Sequence, residues 1–252
     1  MADRVAIISD IHANREALEA VLADAEAQGS NEVVCLGDVV GYGIDAEACI
    51  DLVQRTCSLC LCGNHDWAVL NTAFGFNQMA RQAIDLTRDR LSPARWPWPS
   101  RKRRWAFLKS LPETHQRNGR LLVHGSPRDP VTEYIFPEDV EVDPGKMEEI
   151  FAKFERTCFV GHTHLPGVFT EDMAFFSPAE IGGRFDLARG KAVVNVGSVG
   201  QPRDGDLRAC YVQVEDGQVF YRRVQYDVRK TMEKIRASHL DALCAERLAL
   251  GR

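Results

Sequence analysis

A chain of 252 residues that is 45% hydrophobic and 8% aromatic can bury a large core, and a single domain over residues 1–252 is expected. A net charge of -5 excludes the broad basic surface that binding to long nucleic acid requires, but not a small phosphate ester held by cations. Met1-Ala2-Asp3-Arg4 leads into only four apolar residues before Ser9, too few for a signal-peptide core, and no later run is long enough for a bilayer, so a cytoplasmic protein without a membrane partner is expected.

Residues 5–9 read as a buried strand, followed by a helix over 15–28 that Asn14 caps and whose Ala17, Leu18, Val21, Leu22 and Ala25 recur at helical spacing. A second strand over 32–36, a helix over 46–54 behind Asp45, and a third strand over 57–62 complete a β-α-β-α-β start with short loops. That order predicts an α/β protein with a parallel sheet and helices packed on it. Residues 77–91 read as a helix. Residues 92–105, with Pro93, Pro97 and Pro99, Trp96, Trp98 and Trp105, and Arg101, Lys102, Arg103 and Arg104, interrupt the pattern. They read as an inserted connecting segment with a solvated face or as a flap; the chain's acidity speaks against a nucleic-acid contact there.

Further on, 121–123 is a strand, Asp143-Pro144 opens a helix to about residue 154, and 157–160 is another strand. Strands over 192–196, 208–214 and 218–224 follow, the last two around the hairpin signal Glu215-Asp216-Gly217. Asp227 caps a helical tail over 227–252. Of the eight cysteines, Cys35 and Cys158 lie in strand-like runs, and Cys57, Cys60 and Cys62 have no second cluster at matched spacing, so buried reduced thiols are expected.

Five short segments, each right after an apolar run, carry the chemistry: Asp10-Ile11-His12, Gly37-Asp38, Gly63-Asn64-His65-Asp66, Val123-His124-Gly125 and Gly161-His162-Thr163-His164. Asp10, His12, Asp38, Asn64, His124, His162 and His164 supply the mixed N and O ligands that a pair of transition metals needs. The set suits Mn, Fe, Co, Ni or Zn better than Mg or Ca. Two such cations lower the pKa of a bridging water to roughly 7, and the resulting hydroxide attacks phosphorus.

In this order the segments resemble the calcineurin-like metallophosphoesterases, from Asp10 to at least Asn195. The resemblance implies a four-layer αββα sandwich, two mixed β-sheets flanked by helices, and two divalent metal ions. It implies that Asp10, His12 and His164 hold one ion, that Asn64, His124 and His162 hold the other, and that Asp38 bridges. His65 would protonate the leaving group, with Asp66 beside it. One departure stands out: the protein Ser/Thr phosphatase branch continues its G-D motif to an Asp-Arg-Gly that supports the catalytic His and binds phosphate, whereas this chain reads Gly41-Tyr42-Gly43. A protein phosphatase is therefore not expected, and His65 must be oriented by something else.

The Gly41-Tyr42-Gly43 ending and the stretch from Asn195 to Asp204 are similar to a small bacterial and archaeal branch holding phosphodiesterases, nucleotide phosphatases and dinucleoside tetraphosphate hydrolases. The expected substrate is a small phosphodiester or nucleotide-type ester; a phosphomonoesterase, a dinucleoside tetraphosphate hydrolase, and a non-catalytic scaffold binding a protein partner are the alternatives. Arg203, Ser198 and Arg128 are candidate phosphate contacts, and Tyr42 either stacks on a base or packs in the core.

Overall fold

Val5–Ile8 (β1) is apolar on successive residues because both faces of the strand are covered. In a computed structural model describing residues 4–94 and 97–252, it pairs parallel with Glu32–Cys35 (β2), which pairs parallel with Leu59–Cys60 (β3). On its other side β1 pairs antiparallel with Ala209–Glu215 (β11), which continues through Gln218–Val224 (β12) to Arg184–Asp186 (β9). The second sheet has Thr114–Arg117 (β4), Arg120–Val123 (β5), Thr157–Val160 (β6), Ala192–Asn195 (β10), Gly167–Thr170 (β7) and Ala174–Phe176 (β8), in that order across it. Here β5, β6 and β10 are parallel. Both sheets are mixed and have six strands.

Alternation along the strands makes the layers. Ile7, Val34, Phe159, Val194 and Val212 point between the sheets. Their neighbours Ala6, Ile8 and Cys35 face out toward Arg15–Ala27 (α1) and Ala46–Thr56 (α2), where Leu18, Val21, Ile50 and Val53 meet them. On the second sheet Cys158, Val160 and Val193 face out toward Met147, Ile150 and Phe151 of Pro144–Ala152 (α7). The four layers are helix, sheet, sheet, helix. Segments 9–14, 36–45, 61–66, 124–126, 161–164 and 196–203 leave the C-terminal ends of β1, β2, β3, β5, β6 and β10, where open α/β sheets hold ligands. At the opposite end a cavity of about 300 Å³ is lined by Val5, Ile7, Val34, Leu59, Leu122 and Phe159 of both sheets. Among the described residues no helix is long and apolar enough to cross a membrane, and the cysteines are free thiols, most of them buried.

Three expected elements differ. The strand over 57–62 shrinks to β3, because Gly63 already caps a helix, Asn64–Leu70 (α3), whose Asp66 carboxylate accepts the Gly63 amide at 3.1 Å. Residues 92–105 are not an irregular insert throughout: after Gln78–Leu91 (α4), Pro99 sits at the start of Pro99–Ser110 (α5), where proline favours a helix. Arg103 and Arg104 of α5 pair with Asp51 of α2, and Trp105 packs on the adjacent core. Trp96 lies outside the described residues. The tail is two helices, Val228–Arg236 (α8) and Leu243–Leu250 (α9), which close over Tyr42 and Met79. Leu18→Ala, a truncation in the fully buried seam between α1 and the first sheet, should destabilise the fold by about 2–5 kcal/mol in urea unfolding.

Candidate metal centre

The β1 and β2 ends stay paired past the strands: Asp10 donates its amide to the Gly37 carbonyl (3.0 Å), His12 to Asp38 (2.9 Å) and Ala13 to Val39 (2.9 Å). This pairing holds Asp10 and Asp38 side by side. Asp10, His12, Asp38, His162 and His164 all have φ between 49° and 66°, a region that non-glycine residues seldom occupy. Five of the seven expected ligands share this backbone, so the strain is concentrated at the site, as it is where side chains are aimed for function. Gly161 is needed for another reason: a Cβ there would strike Ser9 Oγ and the Asp10 carboxylate.

Each carboxylate uses one oxygen to brace a loop. Asp10 Oδ2 accepts the His162 amide (3.0 Å), and Asp38 Oδ1 accepts the His65 amide (2.8 Å). The other oxygens face imidazoles. Asp10 Oδ1 lies 3.2 Å from His164 Nε2 and 3.7 Å from His12 Nε2; Asp38 Oδ2 lies 3.7 Å from His12 Nε2 and 3.5 Å from His124 Nε2. Asp38 thus stands between two clusters, Asp10–His12–His164 and Asp38–His124–His162. Asn64 Oδ1 joins the second, 3.2 Å from His124 Nε2. His65 forms a third grouping with His12 and Asp38.

The outer shell sets the imidazoles. His12 Nδ1 faces the Val40 carbonyl (3.2 Å), His164 Nδ1 the Gln201 carbonyl (2.6 Å) and His162 Nε2 the Thr132 carbonyl (3.1 Å). A carbonyl only accepts, so each of these nitrogens carries the proton and the opposite nitrogen offers its lone pair inward. Protonation states follow suit. Burial holds His12 and His164 below the usual imidazole value and pushes His162 down to about 3. Burial opposes ionisation of Asp10 and Asp38, but the surrounding histidines outweigh it and keep both well below the ordinary carboxylate range. Burial also opposes a charge on His124, yet Asp38 and Asp10 lift it to about 9.

This environment fits a metal. Both carboxylates are at most 1% exposed, Asp10 Oδ1 has no hydrogen-bond partner, and the ion-pair contacts of the two aspartates among the described residues are all with histidines. Two ionised carboxylates buried without a permanent cation are costly, and neutral imidazole lone pairs turned toward them are what a divalent ion requires.

Around the clusters, Arg203 donates to Gln201 Oε1 (2.9 Å), lies 5.7 Å from the Tyr42 ring centre, and has a buried Nε without a partner. Its charge disfavours protonation of His164 and His65. Tyr42 packs with its ring inclined to those of His12 and His65 rather than presenting an open face. Ser198 Oγ donates to the Asp10 carbonyl (2.9 Å) and accepts the Gln201 amide (2.8 Å), so it braces a turn. The Arg128 guanidinium is paired with Glu133 and Glu149, at 2.8 Å each. Asp66 turns from the His65 ring to the amides of Val39 (3.3 Å), Val40 (3.2 Å) and Gly63 (3.1 Å). Burial, with Asp38 nearby, lifts it to about 7, against the pull of those donors. Tyr134 joins the site without belonging to any of the five segments. It stacks on His162 with ring centres 3.7 Å apart and planes 19° apart, and it sits in a loop whose sequence carries no signal for this.

A two-sheet sandwich with buried aspartates and histidines at its strand ends defines a metallophosphoesterase. Residues 4–217 match the calcineurin-like phosphoesterase superfamily domain, and the chain belongs to that family. It is 36% identical over 258 residues to the uncharacterized protein MJ0912 of Methanocaldococcus jannaschii, covering 98% of each chain. It is similar to the crystal structure of a metallophosphoesterase from Sphaerobacter thermophilus, with a TM-score of 0.85, 37% identity and 100% of both chains covered. The hypothetical protein PH1004 of Pyrococcus horikoshii OT3 shares the fold at a TM-score of 0.75 and 18% identity, over 99% of this chain and 98% of that one. The chain is accordingly a phosphoester hydrolase with candidate metal ligands.

Because Asp66 ties the segment after β2 to the segment after β3 through three amides, Asp66→Ala should destabilise the protein by about 1–3 kcal/mol for each donor left dry; urea unfolding of the chelator-treated protein measures this.

Proposed function

We propose that the chain is a dinuclear-metal phosphohydrolase in which Asp10, His12 and His164 hold one divalent ion, Asn64, His124 and His162 the other, and Asp38 both. The observation that carries this reading is the position of Asp38 Oδ2, 3.7 Å from an imidazole of one cluster and 3.5 Å from an imidazole of the other. The mixed N and O donors suit Mn, Fe, Co, Ni or Zn. When bound, the ions supply an acidified water and neutralise phosphoryl oxygens.

The chain's own groups do the rest. Arg203, with an unpartnered Nε beside His164 and His65, holds a phosphoryl oxygen. His65 faces the leaving oxygen and gives it a proton as the P–O bond breaks. Burial pushes His65 down to about 4; a phosphate anion bound beside the ring acts in the opposite sense and favours the imidazolium a proton donor needs. Tyr134, stacked on His162, adds a hydroxyl and a ring edge at the rim.

A phosphodiester is the preferred substrate, with nucleotide-type esters in the same class. Arg203 brings one fixed positive charge and Arg128 is neutralised by Glu133 and Glu149, which suits the single charge of a diester better than the larger charge of a monoester or a dinucleoside polyphosphate.

Purified protein supplied with Mn should hydrolyse an aryl phosphodiester. Asp38→Asn should lose both activity and bound metal. His65→Ala should keep its metal and lose about 10²–10⁴-fold in kcat on esters with a basic leaving group. Absence of cleavage across diesters, monoesters, cyclic nucleotides and dinucleoside polyphosphates, with Mn, Ni and Mg, would overturn the reading.

A further inference from the structure

Among the described residues no carboxylate accepts a hydrogen bond from the His65 ring, although Asp38 lies in one cluster with it. Asp66 faces backbone amides, the stretch after Asp38 is Gly41-Tyr42-Gly43, and His65 Nδ1 is buried without a hydrogen-bond partner. The ring is instead enclosed by other rings. His12 lies 4.8 Å away at 76°, Tyr42 4.6 Å away at 51°, and Phe76 5.0 Å away at 80°. The remaining side is the backbone of Gly41, whose φ is +102° and where a Cβ would collide with His65 Nδ1. With Nδ1 pressed against that glycine, Nε2 is the nitrogen left for substrate.

We propose that His65 is aimed by this packing and that Phe76 is its positioning residue. The proposal rests on the reading of His65 as proton donor. Among the enclosing groups Phe76 is the side chain that is only partly buried in the adjoining cores, which leaves its ring edge to His65. His12 is a candidate ligand, Tyr42 is anchored among Met79, Ile235 and Leu240, and Gly41 contributes only backbone. Phe76 lies in the segment between α3 and α4, half-buried, just before Asn77, whose side chain caps α4 by accepting the Ala80 amide at 2.9 Å. Its ring meets that of His65 nearly perpendicular, the edge-to-face geometry that aromatic pairs prefer. Two residues earlier, Phe74 is 92% exposed and offers a control on the same segment.

Proton donation matters little when the leaving group is a stable anion and greatly when it is basic, so the role can be read from a series of substituted phenyl phosphodiesters. The slope of log kcat/KM against leaving-group pKa should be shallow for wild type and steep for His65→Ala. Phe76→Ala should steepen it as well, losing about tenfold or more at the most basic leaving group and little at 4-nitrophenol, with unchanged metal content. Phe76→Tyr, which restores the ring edge, and Phe74→Ala should keep the wild-type slope. If Phe76→Ala loses metal, Phe76→Leu replaces it, with the same steepening expected. A wild-type slope in Phe76→Ala and Phe76→Leu beside a steep His65→Ala slope overturns the positioning role and leaves His65 as donor. An unchanged slope in His65→Ala overturns the donor and, with it, the positioning role; hydrolysis of no substrate by the metal-loaded wild type removes the underlying enzyme reading instead.

Discussion

Two carboxylates lie side by side at the ends of adjacent parallel strands, at most 1% exposed, with no lysine or arginine among their ion-pair contacts in the described residues. A folded chain tolerates this only if positive charge is available when it is needed. The surrounding groups answer that demand. Imidazoles crowd the two aspartates, backbone carbonyls fix which nitrogen is protonated on three of them, and the aspartates raise the proton affinity of His124 against its burial. The guanidinium of Arg203 makes no ion pair with the two aspartates among the described contacts and is held by Gln201.

The backbone bears the cost of this arrangement. Left-handed residues appear at Asp10, His12, Ala13, Asp38, Tyr42, His162 and His164, on loops from both sheets. Each would be unfavourable alone. They are held by pairing that outlasts the strands, such as the Asp10 and His12 amides on the Gly37 and Asp38 carbonyls, and by small side chains braced under the turns, such as Ser198 beneath Asp10. The rest of the sandwich is regular, with apolar side chains alternating between the inter-sheet core and the helical layers, and that regularity supports the irregular end.

Much of this could be read from the chain. The aspartates and histidines stand in short motifs directly after apolar runs, and an apolar run ending in a ligand-type residue marks a buried strand entering a site. The helix–sheet start was legible because Asn14 and the spacing of Leu18 and Val21 identify α1 without tertiary information. Other features left no trace. Val40, Gln201 and Thr132 act through carbonyls, which every residue has. Tyr134 and Phe76 reach the site from irregular segments whose course is set by distant contacts, such as Lys146 donating to the Tyr134 carbonyl. Strand β4 reads Thr-His-Gln-Arg because it is an edge with three of its four residues exposed, so it lacks the apolar signature. Prolines around α5 suggested an interruption, though Pro99 marks the helix start.

Both candidate clusters draw side chains from both sheets. Asp10, His12, Asp38 and Asn64 come from the sheet of β1, whereas His124, His162 and His164 come from the sheet of β5, and His12 and His164 are 152 residues apart. Backbone bonds from Val199 and Gly200 to Ser9 and Asp10, both 2.9 Å, cross at the same edge. The two sheets are therefore clasped at this end, and the cavity lies at the other. Strands β1, β2, β5 and β6 run from the clasp to the residues that line the cavity. Because each cluster is shared between the sheets, neither is complete until both sheets have formed and packed together.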